Sequence, residues 1–364
     1  MRKAQVLVGM VVVVLSTAAL ADAAHRWGLK EGTPELKSAG QLAFGPEGVL
    51  FIGDAIGAQI VAVDTQDAKL AAEKPVRNID RLDEKLSKLL NAKSVAVNDL
   101  AVNPLSGNIY LSVSIGEAQG PGIVRIDAQG ELSRLSLEQI PFLKATLPNP
   151  PEDKVVGEGP RARNRRPEAI TDLAYVDGKL LVSGMALEAG KLLSKIREYP
   201  FPFADREIGA NIEIYHGNHG RLEDNAAVRT FIPMTIDGQP SLLAGFTCTP
   251  LVRFTLDSVQ SGSTARGTTV AELGNRNTPL DMVAYKNGDY LLMSNDRRGV
   301  MKISTRDIGR SRGITEPVGG TAGQEFETIV ELEGTVQFDR LDDDRIVVVL
   351  LRDGALTLKT APLP

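Results

Sequence analysis

Residues 279–303, PLDMVAYKNGDYLLMSNDRRGVMKI, hold three short apolar runs, Met282–Tyr285, Tyr290–Met293 and Val300–Ile303, separated by Lys286-Asn287-Gly288-Asp289 and Asn295-Asp296-Arg297-Arg298-Gly299. The runs have the length of strands and the separators have the chemistry of turns. An antiparallel meander of this kind buries one face and leaves its edges open, so it needs neighbours like itself.

The chain supplies them. A first meander runs through Gln41–Phe44, Val49–Ile52 and Gln59–Val63, and a second through Asp99–Val102, Asn108–Val113, Ile123–Ile126 and Glu131–Leu135. A third follows at Asp172–Tyr175, Lys179–Val182, Leu193–Arg197 and Ile212–Tyr215, and a fourth at Arg229–Ile236, Ser241–Phe246, Leu251–Leu256 and Thr268–Leu273. The opening stretch with Glu327–Leu332 makes a fifth, and Val336–Arg340, Arg345–Leu350 and Ala355–Lys359 make a sixth. Between the first two, Ile79, Leu82, Leu86, Leu89 and Leu90 share one face at helical spacing and predict a helix. Residues 147–167, rich in Pro, Gly and Arg, show no period and read as a long loop.

Repeated four-stranded units of this size specify an all-β fold, a six-bladed β-propeller whose last blade lacks one strand. An N-terminal strand is expected to close it, and the unpartnered segment His25–Lys30 is the candidate. Residues 24–364 then form a single domain. The length and the 43% of hydrophobic residues suffice for such a core.

Arg2 and Lys3, the apolar run Ala4–Leu20 and the small-x-small sites around Ala21 and Ala23 read as an export signal over residues 1–23; an uncleaved anchor is the alternative. The expected location is periplasmic or secreted, with no membrane attachment after cleavage. No cysteine stands at the cleavage site, which removes the lipoprotein reading. Cys248 is the one cysteine, so stability rests on packing rather than on an internal disulfide. The net charge of −5, without a sustained basic block, argues against nucleic acid. The expected partner is a small molecule or a protein, and the chain is expected to be a monomer.

Strand parity sorts the loops of an antiparallel blade. Loops entering a first strand and turns joining the second and third strands emerge at the same end. The helix near Leu82–Leu90, the loop Arg161–Arg166, the segment His216–Glu223 and the turns at Asp54, Glu117, Cys248, Asn295–Arg298 and Arg352-Asp353 therefore share one face. The opposite face receives short turns such as Asp177-Gly178, with the insertion Gly309–Gly323 as its exception. Long loops on a rigid scaffold are where binding sites usually sit.

Two groups of residues carry chemistry. Aligned on their first turns, the blades place Gln41, Asp99, Asp172, Asp281 and Gln337 at equivalent positions of the innermost strands, with Arg229 or Ile232 in the fourth blade. Converging carboxylates and amides suit a hard cation such as Ca²⁺; alternatively, each Asp accepts N–H groups of its own loop, or the set recognises a basic ligand. The second group is His216-Gly217-Asn218-His219-Gly220-Arg221, with Glu223 and the Cys248 turn close by. His216 and His219 can bind Zn²⁺ or copper, joined by a thiolate, or can simply bond to backbone and to Glu223. Asn295 belongs with Gln41, Arg229, Cys248 and Gln337 among the candidate ligand-binding residues. Arg161, Arg163, Arg165 and Arg166 form either an anion clamp or a solvated loop. There is no G-x-S-x-G elbow, P-loop, C-x-x-C-H or dinucleotide fingerprint.

The unit spacing and the phrase Gly45-Pro46-Glu47-Gly48-Val49-Leu50-Phe51-Ile52-Gly53-Asp54 resemble the six-bladed propellers of the gluconolactonase, NHL-repeat and strictosidine-synthase-like superfamily. In gluconolactonases, an acidic residue of the first blade and later Asn/Asp residues hold a metal while one Asp acts as base. The resemblance implies that role for Asp99, Asp172 and Asp281, with Asp172 and Asp281 as the catalytic pair and Asn98 or Asn295 assisting. Gln41 departs from that pattern by standing where a carboxylate is expected. Two functions follow: an exported protein that holds a ligand, metal or partner on its loop-rich face, and a metal-dependent, lactonase-like hydrolase.

Overall fold

The computed structural model describes residues 27–116, 120–159, 162–204, 208–259 and 263–364. The segment expected to be an export signal, together with His25, Glu117 and Arg161, lies outside the described residues. Six sheets of four or more strands, antiparallel except where Ile208–His216 pairs with Ser263–Arg266, radiate from a central channel, giving the six-bladed propeller. Blades are numbered here in chain order.

Each blade begins on the channel: Leu42–Phe44, Val95–Val102, Asp172–Val176, Val228–Ile236, Pro279–Tyr285 and Thr335–Arg340 are the innermost strands of blades 1 to 6. The second strands are covered on both sides and read as continuous apolar runs. Val347, Val348 and Val349 of the strand Arg345–Arg352 are fully buried, as are Val49 to Ile52 in blade 1. Each such side chain contributes about 1.5–3 kcal/mol by leaving water, so the middle strands hold most of the hydrophobic stabilisation. The turns obey their residues. Asp177 and Gly178, with φ of 48° and 78°, and Asp237 and Gly238, with 49° and 79°, form two-residue hairpins whose left-handed backbone matches the strand twist.

The chain does not fill the wheel in order. One apolar cluster joins Phe51 and Ile60 of blade 1 to Leu180 and Val182 of blade 3. Another joins Ile52 and Val61 of blade 1 to Tyr110 and Ile123 of blade 2, and a third joins Leu111 of blade 2 to Val347 and Val349 of blade 6. Blades 3 and 4, 4 and 5, and 5 and 6 share the remaining interfaces. The circular order is therefore 1-3-4-5-6-2, with blade 2 wedged between the last blade and the first.

This order explains the strands that cross between blades. After blade 1 the chain passes behind blade 2, lays Asn78–Ile79 against Ala355–Pro362 as the outer strand of blade 6, and returns through the helix Leu82–Leu89 into blade 2. An N-terminal strand does close the last blade, but it is Asn78–Ile79 and not the segment ending at Lys30. The strand Lys30–Gly32 instead pairs with Ile140–Thr146, which runs back from blade 2 to complete blade 1. Trp27 packs on Phe201 and donates to Glu47, at the junction of blades 1 and 3. The expected helix is present, with Leu82, Leu86 and Leu90 buried against blades 2 and 6, whereas Ile79 belongs to the closing strand. The stretch read as an unstructured loop carries a two-stranded ribbon, Val155–Val156 with Arg163–Asn164, and a turn of 3-10 helix at Arg166–Ala169.

The insertion after blade 5 departs most from expectation. It leaves from the end opposite the long loops, but the strand Thr321–Gly323 pairs with Thr268–Leu273 on the outer edge of blade 4. The Val318 N–H donates to Gly217 O at 2.9 Å, and the Gly320 N–H to Asn218 Oδ1 at 3.2 Å. The insertion thus climbs the outside of the wheel and supports the histidine loop on the loop-rich face.

Candidate metal and anion site

The strand Ile208–His216 ends at the loop-rich face, and the chain turns through Gly217–His219 into Arg221–Glu223. The turn is held from below. Glu272, fully buried, accepts the Gly217 N–H at 2.5 Å and Asn218 Nδ2 at 2.7 Å. A side chain at position 217 would press on Glu272 Oε1, 3.0 Å from an added Cβ, which accounts for a glycine there. Gly220, at φ 64°, reverses the chain so that Glu223 folds back under both imidazoles.

The result is a His–Glu–His cluster. His216 Nδ1 lies 3.0 Å from Glu223 Oε2, His219 Nδ1 lies 2.8 Å from Glu223 Oε1, and the two rings stand 3.8 Å apart between centroids. His216 is 2% exposed, Glu223 9% and His219 43%, so the cluster grades from core to solvent. Burial works to raise the Glu223 carboxyl, but hydrogen bonds from His216, His219 and Arg221 outweigh it and take the group down to about 2. A ring that donates from Nδ1 leaves its Nε2 lone pair free. His216 Nε2 is buried and has no partner among the described residues. One ligand atom from each of the three residues falls within 4.8 Å of the others. Ligands of one tetrahedral Zn²⁺ sit about 3.3 Å apart, given bonds of ~2.0–2.1 Å.

These residues line a cavity of about 380 Å³ built over blades 3 and 4. Arg163 and Arg165 from the loop entering blade 3, Arg229 from the start of blade 4, and Thr247 and Cys248 from its second turn complete the wall. Parity anticipated this gathering. Cys248 and Thr249 both take left-handed backbone, at φ 65° and 57°, fixed by the bonds Cys248 N–H to Asn277 O and Thr249 Oγ1 to Gly274 O. Cys248 lines the cavity without belonging to the cluster of ligand atoms.

The aspartates lie elsewhere. Asp99, Asp172 and Asp281, joined by Asp339, line the central channel, a separate cavity of about 490 Å³ that extends along the first strands to Tyr175 and Arg340, away from the histidine loop. Each carboxylate reaches the next blade in the same rotational sense. Asp99 Oδ2 accepts the Leu42 N–H at 2.7 Å, Asp172 Oδ2 that of Phe231 at 2.7 Å, Asp281 Oδ2 that of Phe338 at 2.9 Å and Asp339 Oδ2 that of Val102 at 2.7 Å. The second oxygens of Asp172, Asp281 and Asp339 accept the N–H of the following residue. The carboxylates act as clips between inner strands: each satisfies one N–H of the neighbouring blade, and three of them also one of their own strand. Burial pushes Asp172 up to about 7 and Asp339 up to about 6, and burial with mutual repulsion holds Asp99 and Asp281 well above the usual range. All four still border the open lumen, which moderates the cost of their ionised forms.

Asp99, Asp172 and Asp281 pair with Ser112, Ser183 and Ser294 on the second strands, so the aligned positions are equivalent. In the fourth blade, Arg229 falls in a bulge and Thr230 takes the inner place, bonded to Asp172. In the sixth, Gln337 has the aligned position and donates from Nε2 to Asn98 O, while the clip is Asp339, two residues on. Gln41 stands beside the channel strand and its carbonyl accepts the Gly53 N–H. Asn295 is bound within its own turn, donating to Met293 O and Gly299 O and accepting from Asn277 Nδ2. Sequence marks neither Glu168 nor Glu272: Glu272 acts through Gly217 and Asn218, far along the chain, and Glu168 joins its near neighbours Arg163 and Arg165 to the distant Arg229.

No protein-family model matches the sequence, and none of the curated proteins does. Among solved structures, the chain is similar to a streptogramin B lyase at 13% identity and TM-score 0.33, covering 93% of this chain and 99% of that one. It is also similar to a PQQ-bound aldose sugar dehydrogenase from Streptomyces coelicolor at 14% identity and TM-score 0.35, covering 92% and 97%. A chain of a mitotic checkpoint complex shows 10% identity and TM-score 0.37, covering 91% and 90%. At such scores none of them carries an argument about the site.

Proposed function

We propose that this propeller is an exported metal-binding protein, holding one divalent transition-metal ion on His216, His219 and Glu223 at the head of the cavity over blades 3 and 4. The observation that carries the reading is the His216–Glu223–His219 cluster, in which one ligand atom from each residue lies within 4.8 Å of the others and His216 keeps a buried Nε2 with no partner among the described residues. Two imidazoles and a carboxylate suit Zn²⁺ or Cu²⁺ better than a hard cation, and three protein ligands leave a position open for a ligand. Export rests on the charged and apolar pattern of residues 1–23.

Elemental analysis and a zinc titration followed by melting test the reading. One metal per chain is expected, with stability rising by about 2.7 kcal/mol at a hundredfold excess over Kd. His216→Ala should lose both effects and Asp172→Asn should keep them. A protein that binds no zinc and melts unchanged refutes it.

A second reading, the lactonase-like hydrolase, draws on Asp172. A carboxyl at about 7 beside an open channel suits general acid–base transfer, with Asp281 as its partner. It predicts lactone or ester hydrolysis that disappears in Asp172→Asn and persists in His216→Ala.

A further inference from the structure

Arg163, Arg165 and Arg229 converge on one carboxylate, Glu168, from the turn Arg166–Ala169. Only Arg165 bonds it, at 2.5 Å; Arg163 and Arg229 stand at 4.0 and 3.9 Å, too far for a hydrogen bond. The side chains of Arg163 and Arg229 hydrogen-bond to no other described residue. One acid against three guanidiniums leaves two positive charges around Glu168, in the same cavity that His216 and His219 line. A surplus of this kind has a fixed frame. The turn that carries Glu168 is packed onto Gly184, where an added Cβ would lie 2.1 Å from Ala169 O.

We propose that the cavity takes a small dicarboxylate, one carboxylate in the forks of Arg163 and Arg229 and the other on the metal held by His216, His219 and Glu223. The inference rests on the metal reading for its second anchor. A guanidinium fork matches the two oxygens of a carboxylate, and an ion with three protein ligands accepts one more oxygen. Two separate cationic groups in one cavity select a ligand charged at both ends. At about 380 Å³ the cavity lies at the small end of ligand pockets, which run from ~300 to 1,000 Å³. Asn225, Thr247 and Thr278 also line the cavity and add polar groups to it. Inorganic phosphate presents a single charged centre and acetate a single end, so each can satisfy only one of the two groups.

Calorimetric titration of the zinc-loaded protein with succinate, acetate and phosphate tests the proposal. Succinate should bind one to one and at least about tenfold tighter than the other two, since loss of a charge-assisted bond costs about tenfold to a hundredfold. Arg163→Ala/Arg229→Ala should lose that preference while zinc stoichiometry holds. Succinate binding no tighter than acetate, phosphate binding tighter than succinate, or an unchanged double variant overturns the inference. If zinc does not bind, the metal-free titration separates the two ideas. A succinate preference that the double variant removes keeps the ligand class and sinks only the metal reading, whereas no preference sinks both.

Discussion

Asp172 tests how the wheel is held together. Its Oδ2 accepts the N–H of Phe231, a residue 4% exposed, across the junction of blades 3 and 4, and its Oδ1 accepts that of Leu173. Asp172→Ala leaves a buried N–H without a partner, which costs about 1–3 kcal/mol, and the second bond is shorter-range and worth less. With an unfolding entropy near ~2.1 cal/mol/K per residue, a chain of this length unfolds with roughly 0.8 kcal/mol/K, so the loss of about 2–3 kcal/mol lowers Tm by about 3–4 °C. Asp172→Asn keeps an acceptor for Phe231 and separates the charge from the bond. The folded carboxyl titrates at about 7, above the ~3.9 of an unfolded Asp, so the folded state binds the extra proton between those values. Its contribution to stability is full below pH 4 and is lost as pH rises through 7. Differential scanning calorimetry from pH 5 to pH 8 should therefore show Asp172→Asn gaining on the unaltered protein as pH rises. An Asp172→Ala protein melting within about 1 °C of the parent refutes the inter-blade clip, and an Asn variant that falls further behind at pH 8 refutes the raised titration.

Glu272 makes no contact with the proposed ion but holds Gly217 and Asn218 beneath it. Glu272→Ala should weaken zinc binding by about tenfold to a hundredfold, as loss of supporting bonds around metal ligands does, and calorimetric titration reads it. Gly184→Ala drives a Cβ into Ala169 O and pushes on the turn that bears Glu168; about 2 kcal/mol or more of stability should be lost in a urea melt, and succinate affinity should fall with it.

The legible part of the fold is local. Alternation and turn residues marked the strands of Pro279–Tyr285, Tyr290–Asn295 and Gly299–Ser304, and the two-residue hairpin at Asp177-Gly178 adopts the left-handed backbone its residues favour. Parity, a consequence of antiparallel pairing alone, brought His216, Cys248 and the arginine loop to one face. The fourth strand of blade 1, Ile140–Thr146, and the two-residue closing strand Asn78–Ile79 escaped notice, because neither sits next in sequence to the sheet it completes. Asp339 escaped for a related reason. Its partner, Val102, is an N–H of blade 2, and nothing near residue 339 signals that blade 2 stands beside blade 6.

The sequence by itself determined the number of blades, the alternation that buries each strand and the face on which the long loops emerge, since period, turn chemistry and direction act within a few tens of residues. Tertiary structure alone decided the circular order 1-3-4-5-6-2, the climb of the insertion up to Gly217, and the separation of the histidine cavity from the channel of aspartates. Those outcomes depend on which sheet edges and apolar faces meet, and a match between surfaces distant along the chain leaves no local pattern to read.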